Sequence, residues 1–309
     1  MSGGAYIIGG NFLYDCTTGG AAGQILAIAA GTELALVGNG QVLTGGGNSS
    51  NALASLQEND GVFNLLGATE FTTPGTGVFE NAAGASLLLE TGTLFATNLQ
   101  NDGIASIDPS SVDFPDTYTQ SNGNTTVDGA IVASSGVSVT GGLLNGTGTV
   151  DGDVTQSGGT VQPGDAPGIL SITGDYTQEA AGTLEIDFTG RGVPGSDWGL
   201  LTVGGVADLS GQIDVVLPNA IDFQAGDVFD IVSAGSVVDG GVQFDLPGLS
   251  NGLEWVPVFQ SGELDLNVDA ESGTPEPSTW AMLAAGLALL LWRRGAAGLG
   301  RPPGSPATL

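Results

Sequence analysis

The 309-residue sequence contains no histidine and no lysine, and its single cysteine is Cys16. Without histidine there is no Ser-His-Asp or Cys-His catalytic system and no imidazole ligand for a metal. Without lysine, neither a Walker-type phosphate loop nor a Schiff base can form. One cysteine allows no internal disulfide and no thiolate metal cage, and we interpret Cys16 as a small buried apolar residue. The sequence therefore predicts no catalytic residue, no cofactor and no metal site.

Basic residues are also scarce. The chain has 33 acidic residues against four bases, which gives a formal net charge of −29 at pH 7. All four bases are arginines: Arg191, Arg293, Arg294 and Arg301. Such a surface repels phosphates and cannot release counterions from DNA or RNA, so we expect no nucleic-acid partner. We interpret the acidic residues as a means of keeping a glycine-rich β surface soluble. The alternative is that they attract Ca²⁺.

Glycine is abundant, with 54 residues, and this excludes a mainly helical protein because glycine disfavours helix interiors. From about residue 3 to residue 267, short runs alternate apolar and polar side chains between clusters of Gly, Asn, Asp and Ser. In residues 183–188, Leu184, Ile186 and Phe188 fall on one face, whereas Glu185 and Asp187 fall on the other. A period of two predicts β-strands with one buried face.

A longer period is also present. Asn59, Asn81, Asn101 and Asn122 follow one another at spacings of 22, 20 and 21 residues. Asparagine and glycine tolerate the left-handed backbone conformation that sharp corners need. A repeat of about 21 residues, with strands between the corners, predicts one coil of a β-solenoid. The alternative is a series of glycine-rich hairpins that form a sandwich.

The glycine-rich repeats after residue 140 show a resemblance. The stretches 159–178, 182–188 and 197–204 resemble the repeats of bacterial autotransporter passenger β-helices. The resemblance covers roughly residues 141–268 and implies architecture, but it says almost nothing about activity. The fold class predicted is all-β, a right-handed parallel β-helix or β-solenoid with Gly/Asn-rich corners. We divide the body into solenoid coils at 1–140 and autotransporter-like repeats at 141–268.

A polar linker at 269–274 precedes a different kind of segment. Its apolar run, 280–292, would be about 20 Å long as a helix, against about 30 Å for a bilayer core. Tryptophans at both ends suit the membrane interfaces, so we expect a short transmembrane helix that contacts lipid. By the positive-inside rule, the arginines after the helix stay in the cytoplasm and the β body faces outward. The alternative is that the apolar run forms a buried core helix. The predicted anchor residues are Trp280, Leu283, Leu287, Leu289, Leu290, Leu291 and Trp292.

The order Pro275-Glu276-Pro277, short apolar helix and Arg293-Arg294 resembles the PEP-CTERM sorting signal of bacterial exported proteins. The resemblance implies delivery by the general secretion route and recognition by exosortase, a membrane cysteine protease that removes the tail. It also implies a transient stay in the inner membrane, then the cell surface or extracellular matrix, in bacteria that make exopolysaccharide. Pro275, Glu276 and Pro277 form the motif, and Arg293 and Arg294 form the cytoplasmic basic stop.

Two features depart from that family pattern. First, no signal peptide is visible at the start of the sequence, and the explanation that we favour is a truncated or misassigned start. Second, residues 295–309 extend beyond the arginines as a tail that we expect to be disordered. The main hypothesis is a non-catalytic structural or adhesive surface protein. One alternative is a β-helix enzyme that degrades polysaccharides with the carboxylate pairs Glu185/Asp187 or Asp151/Asp153. The other is a truncated product that stays in the cytoplasm.

Overall fold

The computed structural model describes residues 1–14, 24–44, 50–67, 69–72, 77–90, 92–95, 98–108, 111–114, 117–165, 167–271, 282–283 and 285–289. Two units are distinguished, Met1–Asp269 and Ala270–Leu309. The strands of the first part of the body are β1 (Gly4–Ile8), β2 (Asn11–Tyr14), β3 (Ala27–Ile28), β4 (Thr32–Val37), β5 (Gln41–Thr44), β6 (Glu58–Asn59), β7 (Val62–Leu66), β8 (Thr69–Thr72), β9 (Val78–Asn81), β10 (Ser86–Leu89), β11 (Gly92–Phe95) and β12 (Asn98–Asn101).

The middle strands are β13 (Ile104–Ile107), β14 (Ser111–Phe114), β15 (Thr117–Gln120), β16 (Asn124–Val127), β17 (Ala130–Ala133), β18 (Val137–Val139), β19 (Leu143–Gly146), β20 (Thr149–Asp151), β21 (Val154–Gln156), β22 (Thr160–Pro163), β23 (Ile169–Ile172) and β24 (Tyr176–Gln178). The last strands are β25 (Thr183–Asp187), β26 (Leu200–Leu209), β27 (Gln212–Val216), β28 (Val228–Asp239), β29 (Gln243–Asp245), β30 (Leu253–Phe259) and β31 (Glu263–Ala270).

The strands form three ladders, and as far as β25 the partner of a strand within its ladder is the third strand along the chain. The first sheet runs β1-β4-β7-β10-β13-β16-β19-β22-β25-β27-β29. The second face is made by β2-β5, β8-β11 and the series β14-β17-β20-β23, and the third by β3-β6-β9-β12-β15-β18-β21-β24. The long strand β26 joins both later series, because it pairs with β23 and with β24.

Neighbouring strands within each ladder are parallel, as in Leu99 of β12 opposite Tyr118 of β15. Parallel neighbours need a crossover connection, which here is the rest of the coil. The prediction of a parallel β-solenoid is confirmed, and the alternative of a hairpin sandwich is wrong. The handedness of the coil stays a prediction. The ladder continues across residue 140, where Thr125 of β16 pairs with Leu144 of β19.

The interior is a stack of apolar side chains that repeat once per coil. On the first sheet, the buried residues of one such column are Leu34, Phe63, Leu87, Ala105, Leu144, Val161, Leu184 and Ile213, with Thr125 between Ala105 and Leu144. The predicted inward residues Leu184, Ile186 and Phe188 are fully buried. Asp187 was expected on the outer face with Glu185, yet it is only 5% exposed.

The asparagine repeat forms a buried polar column at the ends of the third-sheet strands. Asn59 pairs with Asn81 and Asn81 with Asn101 across successive coils, as the spacing predicts. The fourth member is Gln120, not Asn122, because Gln120 ends β15 opposite Asn101. Asn122 is exposed at the corner that follows. The predicted fourth position is therefore wrong by two residues.

The reason given for the asparagines is also wrong. Among the described residues, the only non-glycine residue with positive φ is Asn251, so the column does not use the left-handed conformation. Glycines such as Gly84 and Gly123 take that conformation near the corners instead. The asparagines are selected for their side-chain amides, which point into the core.

Each amide in the column makes hydrogen bonds to neighbouring coils. Asn59 Nδ2 donates to Asn81 Oδ1 at 2.8 Å, and Asn81 Nδ2 donates to Asn101 Oδ1 at 2.7 Å. Asn101 Nδ2 donates to Gln120 Oε1 at 3.0 Å. Asn81 Nδ2 also donates to the carbonyl of Ile104, the first residue of β13, at 3.0 Å. The column thus connects a strand of the third sheet to the strand of the first sheet that follows the corner in the next coil.

The same position carries glutamines in later coils. Gln156 and Gln178 are paired in register and fully buried. Gln156 Nε2 donates to the carbonyl of Thr183, and Gln178 Nε2 to that of Gln212, each at 2.9 Å. Thr183 and Gln212 begin β25 and β27, so these bonds repeat the pattern made by Asn81. The column ends where Gln178 meets Leu209, and Gln178 Oε1 is left buried without a partner.

The end of the body near residue 270 departs from parallel pairing. β28 pairs antiparallel with β31, and β30 pairs with β31. Side chains of five aromatic residues pack here: Phe188, Trp198, Phe223, Phe229 and Trp255. Phe188 and Phe229 meet edge-to-face with ring centroids 5.1 Å apart, a favourable geometry. The antiparallel unit was not predicted.

Asn81→Leu tests the amide column. The change leaves the carbonyl of Ile104 and the side chains of Asn59 and Asn101 short of a partner in a buried site. We expect a loss of about 3 kcal/mol in the free energy of unfolding, measured by urea denaturation.

Asn122→Leu is the matched control, because it makes the same chemical change at an exposed corner. It should shift the free energy of unfolding by less than about 0.5 kcal/mol. Equal stability of the two variants would refute the role of the column.

Candidate functional site

The segment after the linker contains the predicted anchor. Of its described residues, 282–283 and 285–289 are helical, and the side chains of Met282, Leu283, Leu287 and Leu289 are exposed. This agrees with the predicted helix as far as those residues go. The remaining predicted site residues lie outside the described part of the chain: Pro275, Glu276, Pro277, Trp280, Leu290, Leu291, Trp292, Arg293 and Arg294. The tail 295–309 and Cys16 lie outside it too.

Membrane crossing was also predicted for this segment. In the part of the chain that the structure describes, no helix combines the length and the hydrophobicity that a span requires.

The carboxylate pair Glu185/Asp187 lies on β25 and is held by one amide. Gln162 Nε2 donates to Glu185 Oε1 at 2.8 Å and to Asp187 Oδ2 at 2.6 Å. Burial, followed by the charges of Asp187 and Asp214, raises the pKa of Glu185. Burial also raises the pKa of Asp187, whereas the hydrogen bond from Gln162 opposes that rise. The register Glu185–Asp214–Asp245 continues the acids over three successive coils.

The second predicted pair, Asp151/Asp153, is exposed. Asp151 Oδ1 accepts a hydrogen bond from Thr173 Oγ1 at 2.6 Å, and Asp153 Oδ1 accepts one from the backbone N–H of Asp175 at 2.9 Å. Both contacts link one coil to the next. These carboxylates therefore take part in inter-coil bonding at the surface.

The one arginine of the body is paired. Arg191 Nη1 lies 2.7 Å from Asp227 Oδ2, which also accepts the backbone N–H of Gln224 at 2.8 Å. The pair joins the loop before β26 to the loop before β28, and both side chains are partly exposed. Within the described ranges, no group of three or more His, Cys, Asp or Glu side chains is arranged to hold a metal ion.

Sequence reasoning missed a third acidic group, in the antiparallel unit. Asp230 of β28 lies directly opposite Asp265 of β31, which is only 5% exposed. Asp230 Oδ1 is buried without a hydrogen-bond partner, and Gln260 Nε2 donates to Asp265 Oδ2. Burial, then the charges of Glu263 and Asp265, raises the pKa of Asp230 to about 6. Only the antiparallel register brings these carboxyl groups together, so local alternation could not reveal them.

Comparison with known proteins gives one family match. Residues 274–294 match the family model of the PEP-CTERM protein-sorting motif. The chain carries a PEP-CTERM sorting signal. The match includes the predicted motif Pro275-Glu276-Pro277 and ends at Arg294. No curated protein gives a significant match.

The PEP-CTERM signal implies an exported protein that reaches the cell envelope or surface through a C-terminal membrane-anchoring step. It also implies processing by exosortase, a membrane protease. The sequence-based recognition of this signal is confirmed.

Asp230→Asn tests the carboxyl group in the antiparallel unit. Because the pKa of Asp230 is higher in the folded chain than its ordinary value of 3.8, the folded state binds the proton more tightly. The stabilising effect of that proton is complete below about pH 4 and is lost as pH rises through about 6. At pH 7.5 we expect Asp230→Asn to stabilise the chain by about 1–2 kcal/mol, since partial solvent access reduces the full linkage.

The measurement is urea denaturation at pH 4 and pH 7.5. Asp269→Asn is the control, because it removes one carboxylate at an exposed position of β31. The prediction fails if Asp230→Asn gains no more stability at pH 7.5 than Asp269→Asn.

Proposed function

We propose that this chain is an exported, non-catalytic β-solenoid that serves as a structural or adhesive component of the cell surface in contact with exopolysaccharide. The observation that carries the proposal is the sorting signal at residues 274–294, which implies export and exosortase processing. Exosortase and membrane lipid are its expected partners during sorting.

The body supports a structural role by its construction. Successive strands of a sheet lie about 4.8 Å apart, so the eleven strands of the first sheet extend over roughly 48 Å. Hydrogen bonds between buried amide side chains connect the coils. The acidic side chains on the outer surface discourage lateral association between copies. A spacer or adhesive scaffold needs this combination of extent, internal bonding and solubility.

Glu276→Gln tests the sorting function. The full chain, placed behind a general secretion signal and tagged at both ends, is expressed in a bacterium that contains exosortase. We expect the unchanged chain to lose its C-terminal tag and its body to appear at the cell surface, as read by immunoblots of cell fractions. Glu276→Gln should retain the tag in the membrane fraction and reduce processing at least tenfold, because the motif loses its acidic side chain.

The control replaces two prolines outside the motif, Pro302→Ala and Pro303→Ala, which should be processed as the unchanged chain is. A soluble full-length product with an intact tail would overturn the proposed destination. Equal processing of Glu276→Gln and the control would show that the motif is not what the protease reads.

The competing function is polysaccharide degradation by Glu185 and Asp187. The raised pKa values favour it, since a glycosidase needs a carboxyl group that stays protonated near neutral pH. The non-catalytic proposal is supported by Gln162, which engages both carboxylates, and by the ion pair of Arg191 with Asp227.

A reducing-end assay of the full chain with neutral and acidic glycans separates the two functions. We expect no turnover above buffer between pH 5 and pH 8. Turnover abolished by Glu185→Gln or Asp187→Asn, and kept in Asp269→Asn, would establish the enzyme instead.

A further inference from the structure

A column of hydroxyl groups runs along the outer face of the third sheet. Thr119, Ser138, Thr155 and Thr177 are in register on the consecutive strands β15, β18, β21 and β24. Each precedes a buried residue of the amide column or its equivalent, so alternation along the strand turns its side chain outward. Thr155 is exposed, and the other three are half-buried.

Some outward threonine hydroxyl groups of the body bond to side chains on a neighbouring coil. Thr126 Oγ1 donates to Asn145 Oδ1, Thr173 Oγ1 to Asp151 Oδ1, and Thr202 Oγ1 to Ser171 Oγ. Within the described part of the chain, the side chains of the column make no hydrogen bond. Four donors and four acceptors are therefore left for an external partner.

The spacing of the column restricts that partner to a repeating polymer. Strands lie about 4.8 Å apart, so the four hydroxyl groups span roughly 14 Å in a line along the solenoid axis. Threonine has few side-chain rotamers because it is β-branched, so the hydroxyl groups of Thr119, Thr155 and Thr177 are ordered before binding. A pyranose unit is similar in length to one rung and presents hydroxyl groups at every repeat.

Charge restricts the partner further. The column itself carries no charge, and it is bounded by Gln100 at one end and by Asp208 at the other. The chain has 33 acidic residues, so an anionic polymer would be repelled by the surrounding surface. A cationic polymer would be drawn to the acids elsewhere on the body. An uncharged, hydroxyl-rich chain is the partner that fits this column.

We propose that Thr119, Ser138, Thr155 and Thr177 bind one strand of a neutral polysaccharide laid along the solenoid axis, with sugar hydroxyl groups bonded to successive rungs. This inference deepens the proposed contact with exopolysaccharide by assigning it a face and a glycan class. It requires no export, so it is tested on the purified full chain independently of sorting.

The test is the double variant Thr155→Val/Thr177→Val. Valine keeps the shape and strand preference of threonine and replaces the hydroxyl group with a methyl group of similar size. Binding of the full chain to hydroxyethyl cellulose, dextran and alginate is measured by affinity electrophoresis and titration calorimetry. We expect the unchanged chain to bind a neutral glucan, and the double variant to bind it at least tenfold more weakly.

The matched control is Thr149→Val/Thr160→Val. These threonines are outward and half-buried on the second and first sheets, and they make no side-chain hydrogen bond within the described residues. The control should bind as the unchanged chain does, and all three proteins should have the same melting temperature within about 3 °C.

Three outcomes would overturn the proposal. They are no binding to either neutral glucan, preference for alginate, and equal weakening by the control. A processed and surface-exposed chain that fails here would leave the sorting function intact. A chain that binds glucan but is not sorted would leave the face assignment intact.

Discussion

A buried amide side chain in a parallel coil must find hydrogen-bond partners in the coils on either side, and this requirement keeps the solenoid in register. In a sheet of repeating apolar residues, slipping one strand by two residues would keep the same face inward and exchange one apolar contact for another at little cost. Asn81 removes that freedom, because its amide joins Asn59, Asn101 and the carbonyl of Ile104. An unpaired amide in the core would cost more than the apolar contacts could return.

Much of the body could be predicted because its signals are local. Alternation with a period of two located the strand at 183–188 and its buried residues, and the recurrence of asparagine indicated coils of about 20 residues. The direction of pairing near the end of the body could not be inferred, because β31 alternates just as a parallel strand does. The recurrence of asparagine does not reveal Gln120, because a longer amide fills the same position in that coil.

The candidate site divides in the same way. The sorting signal could be recognised from sequence, since a proline pair around an acid, an apolar run and two arginines are contiguous. The role of Gln162 and the opposition of Asp230 and Asp265 depend on which strands become neighbours, and no local pattern contains that information. The hydroxyl column leaves a local trace in the tripeptides Tyr118-Thr-Gln, Val154-Thr-Gln and Tyr176-Thr-Gln, but the register that aligns them depends on strand pairing.

Those tripeptides connect stability to binding. Their middle residue points outward whenever their first and third point inward, so the amide that fixes the register of the core also fixes the register of the hydroxyl groups outside. A buried glutamine after Thr119, Thr155 and Thr177 therefore also orders the hydroxyl column, and no further contacts are needed to align it. A polymer must match the spacing of these hydroxyl groups to bind, and that spacing is set by hydrogen bonds between coils, on which salt has little influence.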